Sequence, residues 1–159
     1  MALWTQQEQQ MIRPLDNNNY LKFDLLQQEV EINDLPKYLG FEFYQELLRN
    51  TANYATLLVG GTYTCDGYQY RFEGLKYVCA YLLYARYVRE SSFNDTFSGM
   101  VRHATQDTQP ISFGELKNLE ERYKTIAGAA WDNCKKYLAT LDIDFEPKKS
   151  KLTRKIDYL

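Results

Sequence analysis

Asp142, Asp144 and Glu146 alternate through the stretch from Leu141 to Pro147, and acidic residues two apart are how a calcium loop opens. The glycine that such a loop needs for its turn is missing and Pro147 follows at once, so the carboxylates read as the solvated face of an extended strand. His103 is the sole histidine, which leaves a histidine-based metal centre short of ligands, and no obvious nucleophile stands beside it. Gly60-Gly61-Thr62 has the glycines of a phosphate loop, but neither its lysine nor its strand-to-helix setting. It is better explained as a helix stop. Cys65, Cys79 and Cys134 are odd in number and lack metal-ligand spacing. Two of them fall on apolar helical faces, so they read as small buried hydrophobes in a reducing compartment. Groups for acid–base, nucleophilic or metal chemistry are nowhere gathered, and the sequence predicts no enzyme, no cofactor and no bound metal.

What remains is chemistry of contact. Lys148, Lys149, Lys151, Arg154 and Lys155 close the chain with a basic cluster, which either solubilises a tail or touches phosphates without reading sequence. Arg86, Arg89 and Arg102 could form a second cluster, although arginines at the end of a helix also suit its negative dipole end. The net charge of −2 gives no global attraction to a polyanion. Fourteen tyrosines and eight phenylalanines among 159 residues are the compositional oddity. Tyrosine joins a large apolar body to a polar tip, and it serves equally as interface or as lining of an aromatic core.

These groups need elements to hold them. The stretch from Thr62 to Phe72 alternates around Asp66-Gly67, the strongest short-range signal for a two-residue hairpin turn. Its aromatic residues Tyr63, Tyr68, Tyr70 and Phe72 exceed what a bare hairpin buries, which predicts pairing with a further strand or another subunit. From Glu73 a helix follows with hardly any polar face. Leu75, Val78, Cys79, Leu82 and Leu83 line one side, while Tyr77, Ala80, Tyr81, Tyr84, Ala85 and Val88 cover most of the rest. A helix apolar nearly all round is a buried one, so this is the predicted centre of the fold.

Before it, Leu25, Leu26, Val30, Leu35 and Leu39 are helically spaced, with a break expected near Asn33 because Pro36 follows. A second helix is expected over 42–58, with Tyr44, Leu47, Leu48, Thr51, Ala55 and Leu58 as its stripe. After the central helix, residues 91–114 lack periodicity but carry Phe93, Phe97, Met100, Val101 and Ile111. That is too apolar for a solvated linker, and predicts an ordered loop packed on a partner. Ser112 and Glu115 form a capping box at the head of a long helix, whose stripe runs from Leu116 through Ala127, Ala130, Cys134 and Leu138 to Leu141.

The fold class that results is mainly α: a small helical bundle around a buried central helix, with one β-hairpin, a long ordered loop and extended terminal arms. Residues 1–20 are rich in Gln and Asn and are expected to form an arm ordered by a partner, with Trp4 and Ile12 as anchors. Residues 21–141 form the helical domain. Residues 142–159 form an extended basic tail, in which Ile143 and Phe145 face a sheet edge, the hairpin being one candidate. The first residues have no apolar run of a secretory signal, and no stretch of about 18 apolar residues suggests a membrane span. A soluble chain made in the cytoplasm is expected.

The segment from Lys37 to Leu47 (KYLGFEFYQEL), the hairpin from Gly60 to Tyr70 and the segment from Gly74 to Arg86 (GLKYVCAYLLYAR) together resemble small head-to-tail connector proteins of tailed bacteriophages. The likeness is greatest to neck ring proteins of crAss-like and related Bacteroides phages. Asn94-Asp95-Thr96 with Gly99 and Val101, and the closing helix with Trp131 and Cys134, look like the same group. The likeness covers roughly residues 21–141; the break at Asn33–Pro36 and the basic tail are not mapped onto it. It implies a virion protein, made in the host cytoplasm, that forms a ring of about twelve copies below the portal through which DNA passes. Portal, tail and other neck proteins would be its partners. Trp4, Ile12, Tyr63, Tyr68, Tyr70, Phe93, Phe97, Met100, Val101, Ile143 and Phe145 are the expected contacts between subunits, and the five basic tail residues the expected contacts with DNA or portal. The alternative is a soluble cytoplasmic helical protein-binding module or regulator.

Overall fold

Helix α6 (Leu75–Ser91) is the element that the others wrap. The computed structural model describes residues 2–15, 20–91, 93–96, 99–102 and 112–141, and for 20, 21, 91, 93–96 and 99–102 the backbone alone. Leu75, Val78, Cys79, Ala80 and Leu83 on α6 are fully buried. Each large apolar side chain among them contributes about 1.5–3 kcal/mol relative to exposure. The expected centre of the fold is therefore the observed one, and the chain is a mainly helical bundle with a hairpin at the expected place.

The elements preceding α6 are α1 (Gln6–Ile12), α2 (Tyr20–Glu29), a π turn (Val30–Asp34), α3 (Leu35–Leu39), α4 (Phe41–Arg49), a 3-10 turn (Thr51–Tyr54) and α5 (Ala55–Val59). The break expected near Asn33 is the π turn. Pro36 stands in the first turn of α3, where its missing N–H costs least, so the chain resets its hydrogen-bond register just ahead of it. The helix expected over 42–58 is likewise interrupted. The Thr51 hydroxyl donates to the carbonyls of Leu47 at 3.0 Å and Leu48 at 3.3 Å, a local bond that competes with helix continuation. Leu25, expected in the buried stripe of α2, is exposed; Phe23 and Leu26 are the residues that face the core.

Strands β1 (Gly61–Cys65) and β2 (Tyr68–Phe72) pair antiparallel, with Cys65 opposite Tyr68 and Gly61 opposite Phe72. Asp66 and Gly67 have φ of 51° and 79°, both positive as a tight two-residue turn demands. Beyond α6, β3 (Phe93–Thr96) and β4 (Gly99–Arg102) form a second short antiparallel pairing inside the stretch read as loop. Helix α7 (Phe113–Ala139) starts at the expected box, Ser112 accepting from the Glu115 amide and Glu115 from the Ser112 amide. Its 27 residues extend about 40 Å along α6. Ala127 and Ala130 are buried there, and small residues let the two helices approach closely.

The N-terminal stretch corrects the sequence reading. In place of an arm awaiting a partner, Leu3, Trp4 and Leu15 belong to the same core as α6, and Trp4 is only 1% exposed. The polar composition that argued against this is absorbed by pairing. Gln9, 0% exposed, accepts from the Trp4 indole N–H at 3.1 Å and donates to the carbonyls of Arg13 at 2.9 Å and Ala80 at 3.2 Å. Gln27 donates to the Trp4 carbonyl, Lys76 to the Glu8 carboxylate, and the Leu3 amide to Glu31 at 2.9 Å. A buried amide satisfied at both ends costs little. Residues 2–15 are thus a structural part of the domain, and Trp4 is not available to a partner.

Candidate interaction surface

The hairpin has two unlike faces because side chains alternate across a strand. Tyr63, Cys65, Tyr68, Tyr70 and Phe72 share one face; Thr62, Thr64, Gln69 and Arg71 share the other. At its base the aromatic face is covered by α7. The Tyr137 ring stacks on Phe72 with centroids 4.5 Å apart and lies 5.8 Å from Tyr63. Tyr63 in turn stacks on Tyr70 at 5.5 Å. Toward the turn the cover ends: Tyr70 is 45% and Tyr68 69% exposed.

The root of the hairpin is held by a backbone contact. Gly60 and Gly74 both have positive φ, and a Cβ on Gly74 would lie 2.3 Å from the Gly60 nitrogen. Only glycine permits two strands of backbone to pass that closely. The Cys134 thiol of α7 also meets the Gly74 backbone here, and burial, the larger influence, pushes this thiol up to about 12. Cys79 is buried and raised for the same reason, so both sulfurs behave as the small hydrophobes expected.

The tyrosine excess has an internal use as well. Arg13, just past α1, places its guanidinium 4.4 Å from the Tyr84 ring centre and 5.1 Å from that of Tyr123, and donates to the Tyr123 hydroxyl at 2.8 Å. Tyr77 and Tyr81 continue this row along α6, 4.6 Å apart. Burial, then the hydrogen bond to Tyr81, raises the Tyr77 hydroxyl to about 12. The row seats the N-terminal stretch and α7 on the central helix. Arg13 was not singled out from the sequence, and Tyr137 was expected only as part of the apolar stripe of the long helix, since nothing local to either marks its distant aromatic partner.

Arg86 and Arg89 are not a phosphate patch. Arg86 grips Asp34 through two bonds, 2.8 and 3.1 Å, and Glu29 through a third of 2.7 Å, so it clamps the π turn from both sides. Beside it, an open groove of about 350 Å³ is lined by Asp34, Lys37, Tyr38, Arg89, Glu120 and Lys124. Lys124 pairs with Glu120 at 2.6 Å and Arg89 approaches the same carboxylate at 3.8 Å. Lys37, Arg86, Arg89 and Lys124, the four cations that line the groove, each pair with a carboxylate.

Of the expected contact residues, the structure brings Tyr63, Tyr68 and Tyr70 onto one face, leaves Ile12 half-buried at the end of α1, and takes Trp4 into the core. Phe93, Met100 and Val101 lie on β3 and β4, where the backbone alone is described; Phe97, Ile143, Phe145, Lys148, Lys149, Lys151, Arg154 and Lys155 lie outside the described residues, as do His103 and the carboxylates of 142–146. Among the described residues no three His, Cys, Asp or Glu side chains gather as a metal site, and no helix is long and apolar enough to cross a membrane. Exposed Leu25, Ile32, Phe41 and Val59 add apolar surface that helical spacing did not disclose.

No curated protein and no solved structure matches the chain. A model described as a family of unknown function, DUF6712, matches residues 35–154; it leaves α1 and α2 outside and runs past α7 into the basic tail. Since that match spans most of its length, the chain belongs to the DUF6712 family.

Proposed function

We propose that the chain is a structural subunit of a tailed-bacteriophage neck, repeated as a ring between portal and tail around the DNA exit path. The observation that carries this reading is the hairpin, whose outer aromatic residues Tyr68 and Tyr70 remain exposed on a face that Tyr137 covers only at its base. In a cyclic assembly each subunit presents one surface to the next, and half-covered tyrosines suit such a contact. The resemblance of the segments from Lys37 to Arg86 to neck ring proteins points the same way. On this reading the protein acts by position and has no catalytic step. Its basic tail meets DNA or portal electrostatically, so neutralising Lys148, Lys149, Lys151, Arg154 and Lys155 lowers the salt dependence of any DNA binding.

The competing reading, a free helical binding module or regulator, draws support from the N-terminal stretch. With Leu3, Trp4 and Leu15 in the core, the monomer needs no partner to order residues 2–15. Mass measurement of the native complex from infected cells, together with protein identification in purified particles, separates the two. A ring-sized species present in particles supports the neck reading; a monomer or dimer absent from particles supports the module.

A further inference from the structure

The hairpin has two open edges, and they fit each other. In a two-residue hairpin the residues flanking the turn exchange the first pair of backbone hydrogen bonds, so Cys65 with Tyr68, Tyr63 with Tyr70 and Gly61 with Phe72 bond inward. The backbone groups of Thr62 and Thr64 then point to the outer edge of β1, and those of Gln69 and Arg71 to the outer edge of β2. All four residues are exposed, and neither edge has a further strand beside it among the described residues. An open edge is a template for pairing.

We propose that β2 of one subunit pairs antiparallel with β1 of the next, an inference that rests on the ring reading and names the contact that joins its members. Hairpins set side by side and pointing the same way bring the two unlike edges together in antiparallel direction, and a head-to-tail succession that closes leaves no edge open. Pairing β2 with β2 of a second copy would leave both β1 edges unused. Because outward groups must meet outward groups, the allowed registers differ by two residues, and side chains alternate with the same period. Every such register therefore continues the aromatic face across the junction, and the polar face behind it. Charge selects among them. Arg71 and Asp66 have no ion-pair partner among the described residues. With Arg71 opposite the next subunit's Thr64, these two residues exchange both backbone bonds, and Asp66 of that subunit lies diagonally across, within reach of a long side chain. The same register sets the exposed Tyr70 opposite the next subunit's Cys65 and diagonal to its Tyr63. Tyr63 and Tyr70 already stack within one hairpin, at 5.5 Å, so the junction repeats a contact that the domain itself makes.

Particles assembled with variant full-length chains test it, read by the amount of chain in the neck and by a cryo-EM map of it. The amides of Thr64 and Arg71 make no bond inside the hairpin, so Thr64→Pro and Arg71→Pro remove an edge donor and leave the β1–β2 ladder its own bonds. Unchanged hydrogen-exchange protection of Val78 and Leu82 in the isolated variants reports an intact core. Each proline variant should enter the neck on the order of tenfold less than the unaltered chain, whereas Thr64→Ser, which keeps the amide, should enter normally. Arg71→Gln and Asp66→Asn should each lower incorporation, and the double variant no further than either alone. Proline variants that enter as well as the unaltered chain overturn the pairing and leave the ring standing, as does a map in which the chain forms a ring with both hairpin edges unpaired. Absence of the unaltered chain from the neck removes the ring reading, and the pairing with it.

Discussion

Trp4 illustrates how a single residue reassigns a segment. Its ring sits edge-on to Phe23 at 6.4 Å, its indole N–H donates to Gln9 and its backbone carbonyl accepts from Gln27, so α1 and α2 meet at one residue. Trp4→Ala should lower stability by about 3–5 kcal/mol, read as a shift of the urea midpoint; a loss under about 0.5 kcal/mol would return the N-terminal stretch to the surface. The glycines give a sharper comparison, because Gly67 and Gly74 have nearly the same φ, 79° and 88°. A Cβ on Gly67 meets nothing within 4 Å, whereas on Gly74 it would overlap the backbone of residues 58–60. Gly67→Ala should therefore cost only the left-handed strain, about 1 kcal/mol. Gly74→Ala adds a clash that no side-chain rotation relieves and should cost about 3 kcal/mol or more. Equal losses would mean that the hairpin root is looser than described.

At the scale of elements, what could be read in advance were features whose cause is local. The α7 capping box, the Asp66-Gly67 turn and the apolar girth of α6 each depend on residues within a few positions of one another. The π turn was half legible: Pro36 announces a break, but the clamp that shapes it comes from Arg86, 52 positions away from Asp34. Arg86→Lys keeps the charge and loses the two-pronged grip on Asp34, so the domain should be destabilised by about 1–2 kcal/mol with faster exchange confined to residues 30–35. A uniform effect across α6 and α7 would contradict that assignment. The N-terminal helix was misread because glutamine content signals solvation only when no buried partner exists, and Gln9 finds Trp4 and Arg13 close by in the chain and Ala80 through tertiary contact. The candidate surface divided in the same way. The alternation of Tyr63, Tyr68 and Tyr70 put them on one face, whereas the half covered by Tyr137 was invisible until α7 was laid against the hairpin.

On the scale of the whole molecule, the described residues form a helical domain whose aromatic residues are mostly used internally and whose hairpin tip is left uncovered. Fourteen tyrosines do not by themselves make an interface: Tyr77, Tyr81, Tyr84 and Tyr123 bind the domain to itself. In the proposed ring the contact offered by the pair at 68 and 70 is small on its own, and the assembly would need the apolar surface around it as well. On that proposal an isolated chain would remain monomeric until a template offsets the entropy of association. The most direct measurement is a cryo-EM reconstruction of the neck of the assembled particle. The account predicts this chain in a closed ring, with Tyr68 and Tyr70 of each hairpin buried against the adjacent subunit. Single copies that do not touch one another, or a particle that lacks the chain, would contradict it.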